Sequence, residues 1–212
     1  MVDQFYGQAT RTAQTDDHNA HDFHVRQITK QLRTGIPVKI IAVHGGGAGA
    51  APTVDVQPMV TQIDGQGNQT PHGTIFGIPT IRHQGGGNAL INAPKVGDIG
   101  YAHAADRDIS ALKANNGQQS NPGSMRTHDL SDLVYHGAML NPANPNQAVQ
   151  FTSTGVKVFG AGGGIIEING PDVFITGTLH VTGDVIAGTI SLQNHVNTGV
   201  VPGGANTGPP AP

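Results

Sequence analysis

The sequence predicts an all-β protein. Three observations lead there. Glycine (31 of 212 residues) and proline (14) are abundant, the composition of many short strands and turns. Between residues 38 and 104, β-branched and aromatic runs recur with glycine-rich links between them. Past residue 151, apolar residues come in i, i+2 pairs, the period of a strand and not of a helix.

The first 18 residues are polar and read as an arm. "NAHDFHVRQITKQLRT" (19–34) fits a short helix, because Val25, Ile28 and Leu32 recur at helical spacing. Asp17 or Asn19 can cap it, and Gly35-Ile-Pro stops it. Together these make an N-terminal segment, 1–35. Strands then follow: "VKIIAVH" (38–44), "TVDVQPMVTQI" (53–63), "TIFGIPTIR" (74–82), "NALINA" (88–93) and "DIGYAHA" (98–104). In the second, Val54, Val56 and Val60 are expected on one face and Asp55, Gln57 and Thr61 on the other. Five short strands with glycine-rich connections suit a small closed barrel of the oligonucleotide-binding (OB) type over 36–111. Residues 112–150 are polar and turn-rich, with one helical turn near "SDLVY", and read as a connector.

Residues 151–212 form the last region. The apolar pairs there are Val156/Val158, Ile166/Ile168, Val173/Ile175, Leu179/Val181, Val185/Ala187 and Ile190/Leu192. Gly170, Gly177, Gly183 and Gly188 punctuate them, and "TGTLHV" and "TGDVIA" repeat nearly in register. So short a repeat, one strand and one turn, leaves a single chain unable to bury its own apolar face. Three chains wound about one axis close the section, so the expectation is an intertwined triple-stranded β-helix in a homotrimer. The expected trimer core is Ile166, Ile168, Val173, Ile175, Leu179, Val181, Val185, Ile190 and Leu192.

Composition limits the function. Net charge is −3 and only 12% of residues are charged, with no basic block, which argues against nucleic-acid binding. The barrel segment offers Lys39, Arg82 and Lys95 but few stacking rings beyond Phe76 and Tyr101. Cysteine is absent, so disulfides and thiolate metal sites are excluded. The start lacks the basic-then-apolar pattern of a signal peptide, and no apolar run is long enough for a spanning helix. The chain is expected to be made in a cytoplasm and not to leave by the general secretory route.

Enzymatic motifs are incomplete. "HGGG" (44–47) resembles a lipase oxyanion motif, but no G-x-S-x-G nucleophile elbow accompanies it. "GAGGG" (160–164) misses dinucleotide-fingerprint spacing, and no P-loop is present. Glu167 is the only glutamate, set between Ile166 and Ile168, so it is expected to point outward and lacks a partner for glycan hydrolysis. His18, His21 and His24 drift round a helix and read as a solvated face. His180 is expected to point outward from its strand.

The order of these segments resembles the central spike, or cell-puncturing, proteins of contractile-tailed bacteriophages. "VDVQPMV", "VGDIGYAHAADRDIS", "NPGSMRTHDLSDLVYHGAM" and "TGTLHVTGDVIAGTISLQNHVNTGV" carry the resemblance. It implies a homotrimer with an OB-fold collar that docks on tail hub and baseplate proteins, and a pointed apex that meets the host outer membrane. It implies a virion component made in the host cytoplasm that works mechanically, without enzymatic activity. Many such apices carry His-x-His, with a buried iron held by six imidazoles from three chains. Here His195 matches the first position and Asn197 occupies the second. Three imidazole nitrogens and three amide oxygens still suit an octahedral iron or similar divalent ion. Asn197 alternatively only turns the chain before Thr198-Gly199. Residues 199–212 are expected to cover the apex. The competing reading is a trimeric receptor- or carbohydrate-binding tailspike. That reading calls for a larger β-region with clustered aromatics or acids, whereas this one offers Phe151, Phe159 and Phe174.

Overall fold

The structure, a computed structural model, describes residues 12, 13, 15–141, 144–162 and 164–194. It divides into two compact units, Met1–Pro145 and Asn146–Pro212. The chain is mostly β.

In the first unit, helix α1 spans Asp17–Gln31. Its N-cap is Asp16, one residue before the expected caps. The Asp16 carboxylate accepts the Asn19 N–H at 2.8 Å and satisfies one of the free amides of the first turn. The helix ends at Gln31, with Leu32 already extended, so Gly35 does not stop the helix but starts the first strand. Val25, Ile28 and Leu32 are 61%, 65% and 50% exposed, so the apolar stripe of α1 lies outside the core.

Strands β1 (Gly35–His44), β2 (Thr53–Pro58), β3 (Gln62–Ile63), β4 (Gln69–Thr70), β5 (Ile75–Pro79), β6 (His83–Gly85), β7 (Asn88–Leu90), β8 (Ile99–Ala104) and β9 (Leu133–Ala138) follow. Five of them form one sheet in the order β5-β2-β1-β8-β9, each pair antiparallel. β1 is long enough to serve two neighbours. Gly35–Lys39 pair with β8, while Val38–His44 pair with β2. Register shifts near Ile41, Asp55 and the Tyr101–Ala102 step each bend the sheet, as an extra residue in a ladder does. The sheet therefore curls into a half-barrel. Beyond β5, Thr80 bridges in parallel to Tyr135 of β9, and the Ile81 N–H donates to the Tyr135 carbonyl at 2.9 Å.

The concave side holds the core: Val38, Ile40, Val54, Val56, Ile78, Ala102, Leu133 and Tyr135. Alternation in β1 and β2 puts these residues on one face, as expected for Val54 and Val56. Val60 was expected to join them but is 65% exposed, because β2 ends at Pro58 and the alternation ends with it. Gly100 sits where β8 passes Tyr135. A Cβ there would overlap the Tyr135 ring and the Gly137 carbonyl. Opposite, Gly137 adopts φ 120°, a conformation that favours glycine.

Two strands differ from the sequence expectation. "NALINA" supplies no barrel strand. Asn88–Leu90 pair only with β6 in a satellite hairpin, and Leu90 is 69% exposed. The fifth strand of the sheet is β9, drawn from the turn-rich segment 112–150. Two short hairpins, β3-β4 and β6-β7, lie outside the main sheet.

In the second unit, β10 (Ala148–Thr152) and β11 (Gly155–Phe159) form a hairpin across Ser153-Thr154. β12 (Ile186–Ala187) and β13 (Ile190–Ser191) form another. The described residues between Gly160 and Val185 carry no strand.

Ile40 is fully buried on the central strand. Ile40→Ala should destabilise the first unit by about 2–5 kcal/mol, the range for truncating a core isoleucine. Denaturant unfolding followed by circular dichroism measures it, and a change below about 1 kcal/mol would contradict the placement of this core.

Candidate functional site

Three places concentrate chemistry. The first is a polar clamp inside the first unit. Helix α2 (Ser110–Ala114) follows Asp108, and a 3-10 turn (Leu130–Asp132) precedes β9. Asp108 and Asp132 are buried, 6% and 1% exposed, and Arg126 lies between them. Arg126 Nε donates to Asp132 at 2.6 Å, and one terminal nitrogen donates to both Asp108 (2.8 Å) and Asp132 (3.0 Å). Asp108 also accepts from Ser124 Oγ at 2.7 Å and the Ser110 N–H at 2.8 Å, and Asp132 accepts the Ile109 N–H at 3.0 Å. Buried charge is tolerated because each carboxylate oxygen meets a donor. Ser110, then Ser124 and Arg126, hold the Asp108 carboxyl at about 2. The Asp132 hydrogen bond, with the charges of Asp132 and Asp108, raises the Arg126 guanidinium further above its already high value. This clamp fastens the long excursion between β8 and β9 to the sheet. The sequence hinted at it only through "DIS" and "SMRTHDLSD", charged residues in a chain with few charges.

The second place is a cleft of about 360 Å³ at the mouth of the half-barrel, bounded by the Gly45–Gly47 loop, Arg82, His83, Ile91 and β9. The "HGGG" motif forms one wall. Gly45, Gly46 and Gly47 all have positive φ, so the run is a turn that only glycines follow easily. His44 Nε2 lies 2.8 Å from Asp55 Oδ2, and Asp55 Oδ1 accepts the Gly77 N–H at 2.9 Å. The His44 contact leads in holding the Asp55 carboxyl below its usual range. Asp55 was expected on the solvent side of β2. It is instead buried, because these bonds tie the end of β1 and the middle of β5 to β2. Arg82 donates to the carbonyls of Gly47 (2.8 Å) and Ala50 (3.2 Å), and Thr80 Oγ1 donates to the Pro52 carbonyl at 2.8 Å. These polar groups are engaged in holding loops.

The third place is the apolar run of the second unit. Ile166 (57%), Ile168 (73%), Val173 (56%), Ile175 (57%), Leu179 (62%) and Val181 (46%) are all exposed in the extended segment. Val185 (41%) precedes β12, Ile190 (63%) lies in β13, and Leu192 (63%) follows it. Glu167 and His180 are exposed as well. Within one chain these residues share no core. His195 and Asn197 lie outside the described residues. His18, His21 and His24 are exposed along α1, and among the described residues no group of three or more His, Asp or Glu side chains is placed to hold a metal.

Comparison with known families bears on the first unit. Residues 36–137 match the family model "Phage protein Gp138 N-terminal domain". The match covers just under half of the chain and spans the curled sheet from β1 into β9. It indicates a phage baseplate-related protein and suggests a structural component of the virion. A search of curated proteins gives no significant match.

The clamp makes stability depend on acid. Asp108 titrates lower in the folded chain, at about 2, than the ordinary carboxylate value of about 3.9. In that window the unfolded chain binds more protons, so stability rises with pH and is lost as pH falls from about 4 towards 2. The melting temperature should hold down to about pH 5 and fall below about pH 4. Asp108→Asn should melt lower at pH 7 and fall less steeply in acid. Parallel profiles for the two proteins would contradict the role given to Asp108.

Proposed function

We propose that this chain is a homotrimeric central spike at the tip of a contractile phage tail, which pierces the host outer membrane mechanically and carries no enzymatic activity. The observation that carries the reading is the alternating apolar run from Ile166 to Leu192, exposed in the single chain and nearly free of charge. Between Phe151 and Pro212 the only charged residues are Lys157, Glu167, Asp172 and Asp184. Contiguous exposed apolar surface on this scale marks an assembly face. Full burial of each such side chain is worth about 1.5–3 kcal/mol, so an axis shared by three chains supplies the driving force a single chain lacks. Three strands per layer would also pair backbone groups that one chain leaves unpaired, leaving few free edges. Chains wound about one axis separate only by unwinding, which favours kinetic resistance to force.

The first unit supports a collar role. Its strand order β5-β2-β1-β8-β9, with a parallel bridge from Thr80 to Tyr135 of β9, supports reading it as a five-stranded OB barrel. The family match and the absence of a basic face favour docking on tail hub and baseplate proteins over nucleic acid. At the apex, three His195 and three Asn197 side chains form a donor set suited to an octahedral iron or similar divalent ion. The exposed rings of Phe151 (80%) and Phe174 (92%) favour a second reading, a receptor- or carbohydrate-binding tailspike. Glycan binding or cleavage by the purified trimer separates the two.

Assembly is tested by mass. The wild-type chain should sediment as a trimer and resist SDS at room temperature. Ile175→Asp would bury three unpaired charges at the axis, each at a cost of about 3–5 kcal/mol, and should abolish the trimer. Ile186→Thr, on the outward face, should leave it intact. A normal SDS-resistant trimer from Ile175→Asp would overturn the axial assignment.

Elemental analysis tests the apex. Iron or a similar transition metal near one ion per three chains is expected, and His195→Ala should lose it while remaining trimeric. Metal-free wild type, or metal retained by His195→Ala, would refute the ligand role.

A further inference from the structure

The convex side of the sheet carries a pair of histidines that none of the roles above uses. His103 lies on β8 and His136 on β9, and both are exposed. The register shift between β8 and β9 brings them together. Tyr101 opposes Gly137 and Ala102 opposes Tyr135, so His136 is the extra residue of the bulge. A regular ladder would give His136 a directly opposed partner. The bulge instead turns it towards His103, and the ring centroids come to 4.3 Å at an interplanar angle of 72°. Tyr101 flanks the pair, its ring centroid 5.0 Å from that of His103.

That separation has a chemical meaning. A metal–nitrogen bond is about 2.0–2.1 Å, which puts each imidazole centroid about 3.2 Å from a shared ion. Two rings at about 90° round that ion then have centroids about 4.5 Å apart. The observed 4.3 Å is close to this cis arrangement and shorter than the roughly 5.2 Å of a tetrahedral angle. We propose that His103 and His136 form a cross-strand chelate for a square-planar or octahedral divalent transition metal such as Cu²⁺ or Ni²⁺. Water fills the remaining positions, since no third His, Asp or Glu joins the pair among the described residues. A bound ion would staple β9 to β8 at the strand that leads the chain out of the sheet. The site lies within the first unit and stands or falls independently of the proposed apex metal.

The test uses untagged full-length protein, stripped with chelator and titrated with Cu²⁺ and Ni²⁺ by calorimetry at pH 7.5. Nine other histidines accompany His103 and His136, and those of the helix and His195 can also take metal, so the background protein carries His18, His21, His24 and His195 all changed to Ala. It should bind near one ion per chain and melt higher with metal than without. His103→Gln and His136→Gln in that background should each weaken binding at least about tenfold and lose the metal-dependent rise in melting temperature. Melting without metal should be unchanged, which separates lost chelation from a damaged fold. Failure of the background protein to bind, or binding by both Gln variants as tight as its own, would overturn the proposal.

Discussion

The first unit depends on β1 pairing with two partners at once. Gly35–Lys39 pair with β8 and Val38–His44 pair with β2, so the two neighbours are offset along one ten-residue strand, and the register shifts in its ladders curl the sheet. The curl makes the concave side narrow enough for a handful of Val, Ile, Leu and Tyr side chains to fill. Because few aromatic residues are present, the curl of the sheet, and not bulk, excludes water from this core. The bulges at Ile41 on β1 and His136 on β9 serve the same end by bending those strands.

Polar groups fix what the small core cannot. At one point Asp55 joins three strands through His44 and the Gly77 amide. At another, Arg126 between Asp108 and Asp132 holds the chain between β8 and β9, so that β9 can take its place beside β8. Both arrangements give each oxygen of the buried carboxylates a hydrogen-bond partner, the condition under which buried charge specifies a structure instead of opposing it. Elsewhere, the "HGGG" glycines that resemble a lipase motif in sequence form a turn in the cleft wall, and Arg82 and Thr80 hold its loop.

The second unit obeys a different constraint. Its described backbone between Gly160 and Val185 has no ladder, and its apolar side chains have no common core within one chain. A repeat of one strand and one turn offers each strand no neighbour far enough along the same chain to pair with. The proposed trimer resolves both needs with one operation, since symmetry-related chains bring partners for the backbone and for the side chains together.

The sequence by itself determined the periodicities: most of the strands between residues 35 and 104, a short helix before them, the inward set Val54 and Val56, and the apolar alternation beyond residue 151. These are local properties, written in side-chain order and turn residues. Tertiary structure decided what local order cannot encode. It chose β9 over "NALINA" as the fifth strand, because only Leu133–Ala138 reaches β8 with Leu133 and Tyr135 turned into the core. It buried Asp55, on the face the alternation assigned to solvent, because hydrogen-bond donors from two other strands converge there. It assembled the Arg126 clamp from residues up to 24 positions apart, since Asp108 and Asp132 meet only after the chain has folded back. It also set His103 beside His136 through a bulge, a one-residue shift that depends on the partner strand and leaves no mark in the sequence of either.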